Sequence, residues 1–161
     1  MTEERFVQLV KEEQEVLRRF LLALCGGRRE LAEDLSQETL IKAWLASADY
    51  VERYRFSTWL CKIAYRTYVD YLRRNAHQPL PLDERLPLPS PDSADGAFRH
   101  ERLHWAVGQL PLKERTAVLL FYIEEQSIRE IAVATGSNIL SVKQQLKRGR
   151  DRLRKLLNDE R

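Results

Sequence analysis

Residues 127–143 run Ser127-Ile128-Arg129-Glu130-Ile131-Ala132-Val133-Ala134-Thr135-Gly136-Ser137-Asn138-Ile139-Leu140-Ser141-Val142-Lys143. Ser127 with Glu130 three residues on is a capping box, in which each side chain satisfies a backbone amide that helix geometry leaves orphaned. The box opens a short helix through Ala134, and Gly136 supplies the left-handed residue that closes it. Asn138 then caps a long final helix with Val142, Leu146, Leu153 and Leu156 on its inner face. Ile128, Ile131, Ala132 and Val142 form the apolar joint between the two helices. A short capped helix, a glycine turn and a second capped helix rich in cations make a helix-turn-helix. With Val142 and Leu146 inward, Ser141, Lys143, Gln144, Lys147 and Arg148 project outward or flank that face. Long amides there can pair with adenine, and Lys or Arg can reach guanine or phosphate. From Ser141 to Arg161 there are eight cations and three acids, a local charge of +5. A charge run is commonly a solvated helix face, but charge and capped turn coincide here, which points to duplex DNA.

Upstream of this motif, Phe98 to Gln109 reads as a helix, and Pro111 suits the first turn of another that continues to about Ile123. Before them lies a strap holding Pro79, Pro81, Pro87, Pro89 and Pro91, five of the six prolines. Proline at that density removes backbone donors and predicts an extended linker. Its charge is −3, from Asp83, Glu84, Asp92 and Asp95 against Arg85. The organisation predicted is a first domain over 1–75, a flexible acidic linker over 76–97 and a second domain over 98–161. Each half is near the lower size at which a core folds alone.

The first half is helical too. Phe6, Val10, Leu17, Leu21 and Leu24 recur at helical spacing until Gly26-Gly27. A second helix is expected from about Arg29 to Ser47, burying Leu31, Leu35, Leu40 and Trp44. Ser57 is expected to cap a third, from Thr58 to about Arg74. No stretch alternates over strand length, so the fold class is all-α, two small helical domains joined by a proline-rich linker.

Composition sets the outer bounds. The 161 residues carry 27 Lys or Arg and 24 Asp or Glu, with 32% charged and 43% hydrophobic residues, which describes a soluble, foldable chain. The longest apolar runs, such as Phe20–Cys25, fall far short of the ~20 residues that span a bilayer. The acidic start Met1-Thr2-Glu3-Glu4 is no secretory signal. Cys25 and Cys61 lack CxxC spacing and read as reduced core thiols of a cytoplasmic protein. A membrane protein, a disulfide scaffold and a secreted enzyme are disfavoured.

Two further surfaces carry chemistry. Between Glu52 and Arg74 there are six cations and two acids, interleaved with Tyr54, Phe56, Trp59, Tyr65, Tyr68 and Tyr71. Cations that track phosphate beside aromatic faces that accept unstacked bases make a single-strand-binding surface; the plainer reading of Trp59, Ile63 and Tyr71 taken singly is core. On the second helix, Asp34, Gln37, Glu38 and Ile41 share one face at i, i+3, i+4, i+7 spacing. Asp34 and Glu38 are like charges four apart, and a basic protein partner would relieve them. A solvated face with a Glu38–Lys42 pair is the plainer reading.

These residues resemble a known family. Leu31-Ala32-Glu33-Asp34-Leu35-Ser36-Gln37-Glu38-Thr39-Leu40, Phe56-Ser57-Thr58-Trp59-Leu60 and Asp70-Tyr71-Leu72-Arg73-Arg74 are similar to region 2 of bacterial sigma factors. Leu110-Pro111 with Arg115, Ser127-Ile128-Arg129-Glu130-Ile131-Ala132 and Ser141-Val142-Lys143 resemble region 4. Two regions joined by a short linker is the layout of the extracytoplasmic-function group. The resemblance implies a promoter-specificity subunit of RNA polymerase with no enzymatic chemistry, no cofactor and no metal. It implies that Asp34, Gln37, Glu38 and Ile41 dock on the clamp of the core polymerase's largest subunit. Tyr54, Phe56, Trp59, Lys62, Arg66 and Arg73 would hold the opened −10 element. Arg115, Ser127, Ser141, Lys143, Gln144, Gln145, Lys147 and Arg148 would bind the −35 element as duplex, with region 4 also touching the polymerase flap. An anti-sigma factor is an implied partner, and membrane insertion is not. Departures from the family pattern are Leu40 for phenylalanine, Gln144-Gln145 for serine-arginine, and Gly149 for alanine inside the last helix, at up to ~1 kcal/mol of helix propensity.

Two rival readings come from the same residues. His100-Glu101-Arg102-Leu103-His104 matches H-E-x-x-H, with Glu124 as a third zinc ligand. A protease needs a substrate-aligning framework, which a strandless half of about 65 residues does not offer. A stand-alone helix-turn-helix regulator is the alternative function, but it leaves the Asp34 stripe and the basic-aromatic third helix without a purpose.

Overall fold

The computed structural model describes residues 1–76 and 95–158, the second stretch with side chains from 102 onward. Every regular element among them is helical. Helix α1 spans Glu3–Leu24, capped by the Thr2 hydroxyl, which accepts from the Arg5 amide at 3.1 Å. Gly26 and Gly27 both take positive φ, 68° and 86°, and turn the chain into α2, Arg29–Leu45. One 3₁₀ turn, Ser47–Asp49, leads by a loop to α3, Phe56–Arg74. The second half holds α4 (Asp95–Gly108), α5 (Leu112–Val118), α6 (Ile128–Thr135) and α7 (Ile139–Asn158). Residues 95–97, expected in the linker, are the first turn of α4; the rest of the expected linker lies outside the described residues, apart from Ala76.

The second half follows its capping signals. Ser127 Oγ accepts from the Glu130 amide at 3.1 Å while Glu130 Oε1 accepts from the Ser127 amide at 3.0 Å. Gly136 sits at φ 68°, and Asn138 Oδ1 accepts from the Ser141 amide at 2.8 Å. Two expectations in the first half are corrected. Helix α3 begins at Phe56 behind Arg55, with no side-chain cap; Ser57 is inside the helix and buried. Helix α2 buries Ala32, Leu35, Ser36, Thr39 and Ala43, whereas Trp44 is 42% exposed. Small residues on that face let α2 lie close to its neighbours; Leu35 is buried among them, Leu31 and Leu40 are half-buried against the core, and Trp44 remains outside.

After α5 the chain widens into a π-helical turn, Leu119–Ile123, and Glu125 then takes a φ of 53°. A non-glycine residue there is uncommon; the bend swings α6 back across the first half. The two halves therefore share one apolar core. Leu17, Phe20, Leu21 and Leu24 of α1 belong to the same buried cluster as Leu110, Val118, Leu120 and Ile131. Burying both faces together answers the size problem of two short halves. A second, smaller cluster gathers Phe6, Leu9, Ala43, Phe56 and Leu60 at the far end of the first half.

Candidate nucleic-acid and polymerase interface

Helix α7 presents the cationic face expected of it. Val142 and Leu146 are buried, while Lys143, Gln144, Lys147 and Arg148 are exposed. Ser141 is half-buried beside the Asn138 cap. Gln145 stands at the edge of this face, half-buried, and its Oε1 is buried without a hydrogen-bond partner. Ser127 is engaged in the capping box. Arg115 works elsewhere: its guanidinium donates to the Leu24 carbonyl at 2.6 Å and to the Leu110 carbonyl at 3.2 Å. A cation on the last carbonyls of α1 complements that helix end, so in this structure Arg115 brackets the two halves and does not join the α7 face.

Helix α3 brings Trp59, Lys62, Arg66 and Arg73 onto one stripe, at i, i+3, i+7, i+14, with Arg66 and Arg73 exposed and the others half-buried. Tyr54 lies in the preceding loop, where its carbonyl accepts from the Tyr50 hydroxyl at 3.3 Å. Phe56, expected to face DNA, is 4% exposed. Its ring meets Phe6 and Tyr50 edge-on at 6.1 and 5.4 Å and Trp59 at 5.6 Å, so it supports the aromatic surface from beneath.

The first turn of α3 is covered by the second half. Glu130 Oε2 accepts from Arg55 Nε at 2.9 Å and from the Thr58 hydroxyl at 2.8 Å, and Arg55 also reaches the Glu125 carbonyl at 3.4 Å. Burial pushes the Glu130 carboxyl up, but Arg55, the Ser127 amide and Thr58 outweigh it and hold the group down at about 2. A second bridge is bidentate, Arg19 to Glu124 at 2.9 and 2.8 Å. It occupies the carboxylate considered as a zinc ligand; the side chains of His100 and Glu101 lie outside the described residues. Among the described residues no group of three or more His, Cys, Asp or Glu is placed to hold a metal, and no helix is long and apolar enough to cross a membrane. Cys25 and Cys61 are free and buried; burial pushes the Cys25 thiol up to about 12 and raises Cys61 also.

On α2, Asp34, Gln37 and Ile41 are exposed, Ile41 by 62%. Glu38 is half-buried, paired with Lys42 at 3.3 Å and 4.0 Å from Arg74. Leu45, one turn beyond Ile41, is 77% exposed and extends the stripe into an apolar edge. Missed in the sequence were this residue and Leu140, 66% exposed at the start of α7; their signal is apolar spacing on a polar face.

Comparison with known proteins agrees with this geometry. The model of sigma-70 region 2 matches residues 9–78, and that of sigma-70 region 4 matches residues 100–153. The ECF RNA polymerase sigma factor SigW of Bacillus subtilis is 29% identical over 98% of this chain and 91% of its own. The RNA polymerase sigma factor SigV of the same organism is 32% identical over 80% of this chain and 77% of its own. The sigma factor RpoE of Bartonella quintana, solved in complex with the anti-sigma factor NepR, superposes with a TM-score of 0.79 at 25% identity, covering 98% of this chain and 99% of that one.

Proposed function

The chain belongs to the extracytoplasmic-function group of the sigma-70 family, and from that membership we propose how its surfaces divide the work of directing RNA polymerase to promoters. Its function is to confer promoter specificity on core polymerase and assist initiation. Residues 1–75 form the unit that binds polymerase and opened DNA, 98–161 the unit that reads the upstream element, and 76–97 the tether. Asp34, Gln37 and Ile41 meet the polymerase clamp, with Glu38 at the edge of the contact. The α3 stripe of Trp59, Lys62, Arg66 and Arg73, with Tyr54, holds the unstacked strand. Lys143, Gln144, Lys147 and Arg148 enter the major groove.

Melting by such a protein is differential binding: flipped bases must be held better than the closed duplex. Unpairing costs a few kcal/mol per flipped base, about as large as or larger than the ~1–3 kcal/mol that stacking on an aromatic returns. Polymerase contacts supply the difference, and the chain itself performs no covalent chemistry. It works in the cytoplasm, where the polymerase is. With Glu130 on Arg55 and Thr58, the first turn of α3 faces protein, so the halves part when the factor engages opened DNA. A partner that holds them together, as an anti-sigma factor would, keeps the factor silent.

The observation that carries this reading is the exposed cationic face of α7 set behind a capped turn, in one chain with the acidic α2 stripe. Transcription with reconstituted holoenzyme on fragmented genomic DNA tests it. Start sites sharing a common upstream element are expected. Initiation no different from that of core polymerase alone would overturn it.

A further inference from the structure

Leu140 is 66% exposed, on the first turn of α7, and Ile139 beside it is 42% exposed. Apolar side chains left in water at the mouth of a cationic helix are stabilised when an apolar group covers them. At 100° per residue, Leu140 lies on the side opposite the buried Val142, Leu146 and Gly149. It falls on one line with Lys143, Gln144 and Lys147 at i+3, i+4 and i+7. It is therefore central to the cationic face and not at its margin. An open pocket between α6 and α7, lined by Arg129, Val133, Asn138, Ile139 and Leu140, continues the apolar surface inward, and exposed Arg129 sets a cation at its rim.

Cations on both sides select a polyanion, and the only apolar group that duplex DNA shows in its major groove is the C5-methyl of thymine. We propose that Leu140 is a specificity-determining residue, packing on the C5-methyl of one thymine of the upstream element while Lys143, Gln144 and Lys147 contact its neighbours. The inference rests on the reading that α7 enters the major groove. It adds to hydrogen bonding a discrimination by the methyl itself, which thymine carries at C5 and cytosine lacks.

Deoxyuridine differs from thymidine by that methyl alone, which makes the test specific. Holoenzyme reconstituted with core polymerase is used to select promoters from duplexes randomised across the upstream element. Each selected thymine is then replaced singly by deoxyuridine, and affinity is measured by competition. At one position, uracil should weaken wild-type binding by about fourfold, the worth of one buried methyl. Leu140→Ala should bind the thymine promoter about as weakly and become indifferent to uracil at that position, while keeping its response elsewhere. Wild-type indifference to uracil at every position, or an unchanged uracil response in Leu140→Ala, would overturn the proposal. So would loss of co-purification of Leu140→Ala with core polymerase, which would turn the residue toward protein. A selection that yields no preferred upstream sequence would instead defeat the reading of α7 as a DNA reader, and this inference with it.

Discussion

Gly149 looks like a defect in the sequence, a flexible residue within the longest cationic helix. Its neighbours give the reason for it. A Cβ built there would stand 2.7 Å from Val118 Cγ2 and 3.5 Å from the Glu114 carbonyl oxygen. Val118 is β-branched and 5% exposed, so it has few rotamers with which to retreat. On one side, Gly149→Ala gains up to ~1 kcal/mol of helix propensity; on the other, overpacking costs ~1–3 kcal/mol. A net loss of about 1 kcal/mol is expected, lowering Tm by about 2–4 °C, with Val118→Ala in the same chain recovering part of it. A thermal melt in which Gly149→Ala alone is more stable would show that α5 and α7 can move apart freely. Periodicity could not reveal this contact, because Val118 lies 31 residues away in sequence and only packing brings it to the helix. Phe56 and Arg115 were opaque for the same reason: an aromatic ring and a guanidinium have both surface and buried uses, and their partners, Phe6 and the Leu24 carbonyl, are distant in sequence.

Elements with their own local signals were legible. Ser127 with Glu130, Gly136 and Asn138 fix both helices of the helix-turn-helix through bonds that span three or four residues. The start of α3 was not, since Arg55 offers no capping oxygen and tertiary packing of Phe56 sets the boundary. The exposed stripe of α2 was legible from spacing, but the separate roles of its members were not. Asp34 is exposed, whereas Glu38 is tied to Lys42 and Arg74. Reversing each charge should therefore give different results. Asp34→Lys should abolish co-purification with core polymerase and leave Tm within about 2 °C, as exposed substitutions usually change stability by no more than ~0.5 kcal/mol. Glu38→Lys should lower Tm further, because a third cation then faces Lys42 and Arg74. Normal polymerase binding by a folded Asp34→Lys protein would remove this stripe from the docking surface.

At the scale of the whole molecule, the shared core and the polar contacts across it hold the two halves together. Arg55 and Glu130 stand 75 residues apart, so no local pattern announces their pairing, nor that the two small helical domains meet on a shared core. Glu130 serves both as the N3 member of its capping box and as the acceptor for Arg55 and Thr58. Glu130→Gln separates the two roles, since glutamine still caps but no longer carries the charge. A hydrogen bond to a charged group is worth ~1.5–3 kcal/mol, and opening of the halves should rise at least about tenfold on its loss. Cys61, buried in the shared core on the helix that faces α6, reports opening: its alkylation, followed by peptide mapping, should accelerate by about that factor. Acid gives an independent check of the same contact. The Glu130 carboxyl is held near 2, below the ordinary 4.5, so its contribution is complete above 4.5 and fades as the pH falls toward 2. Wild-type protein should therefore lose part of its resistance to urea across that window, and Glu130→Gln should lose correspondingly less. Equal alkylation rates for the two proteins at neutral pH, with parallel acid profiles, would mean that the apolar core alone holds the halves together.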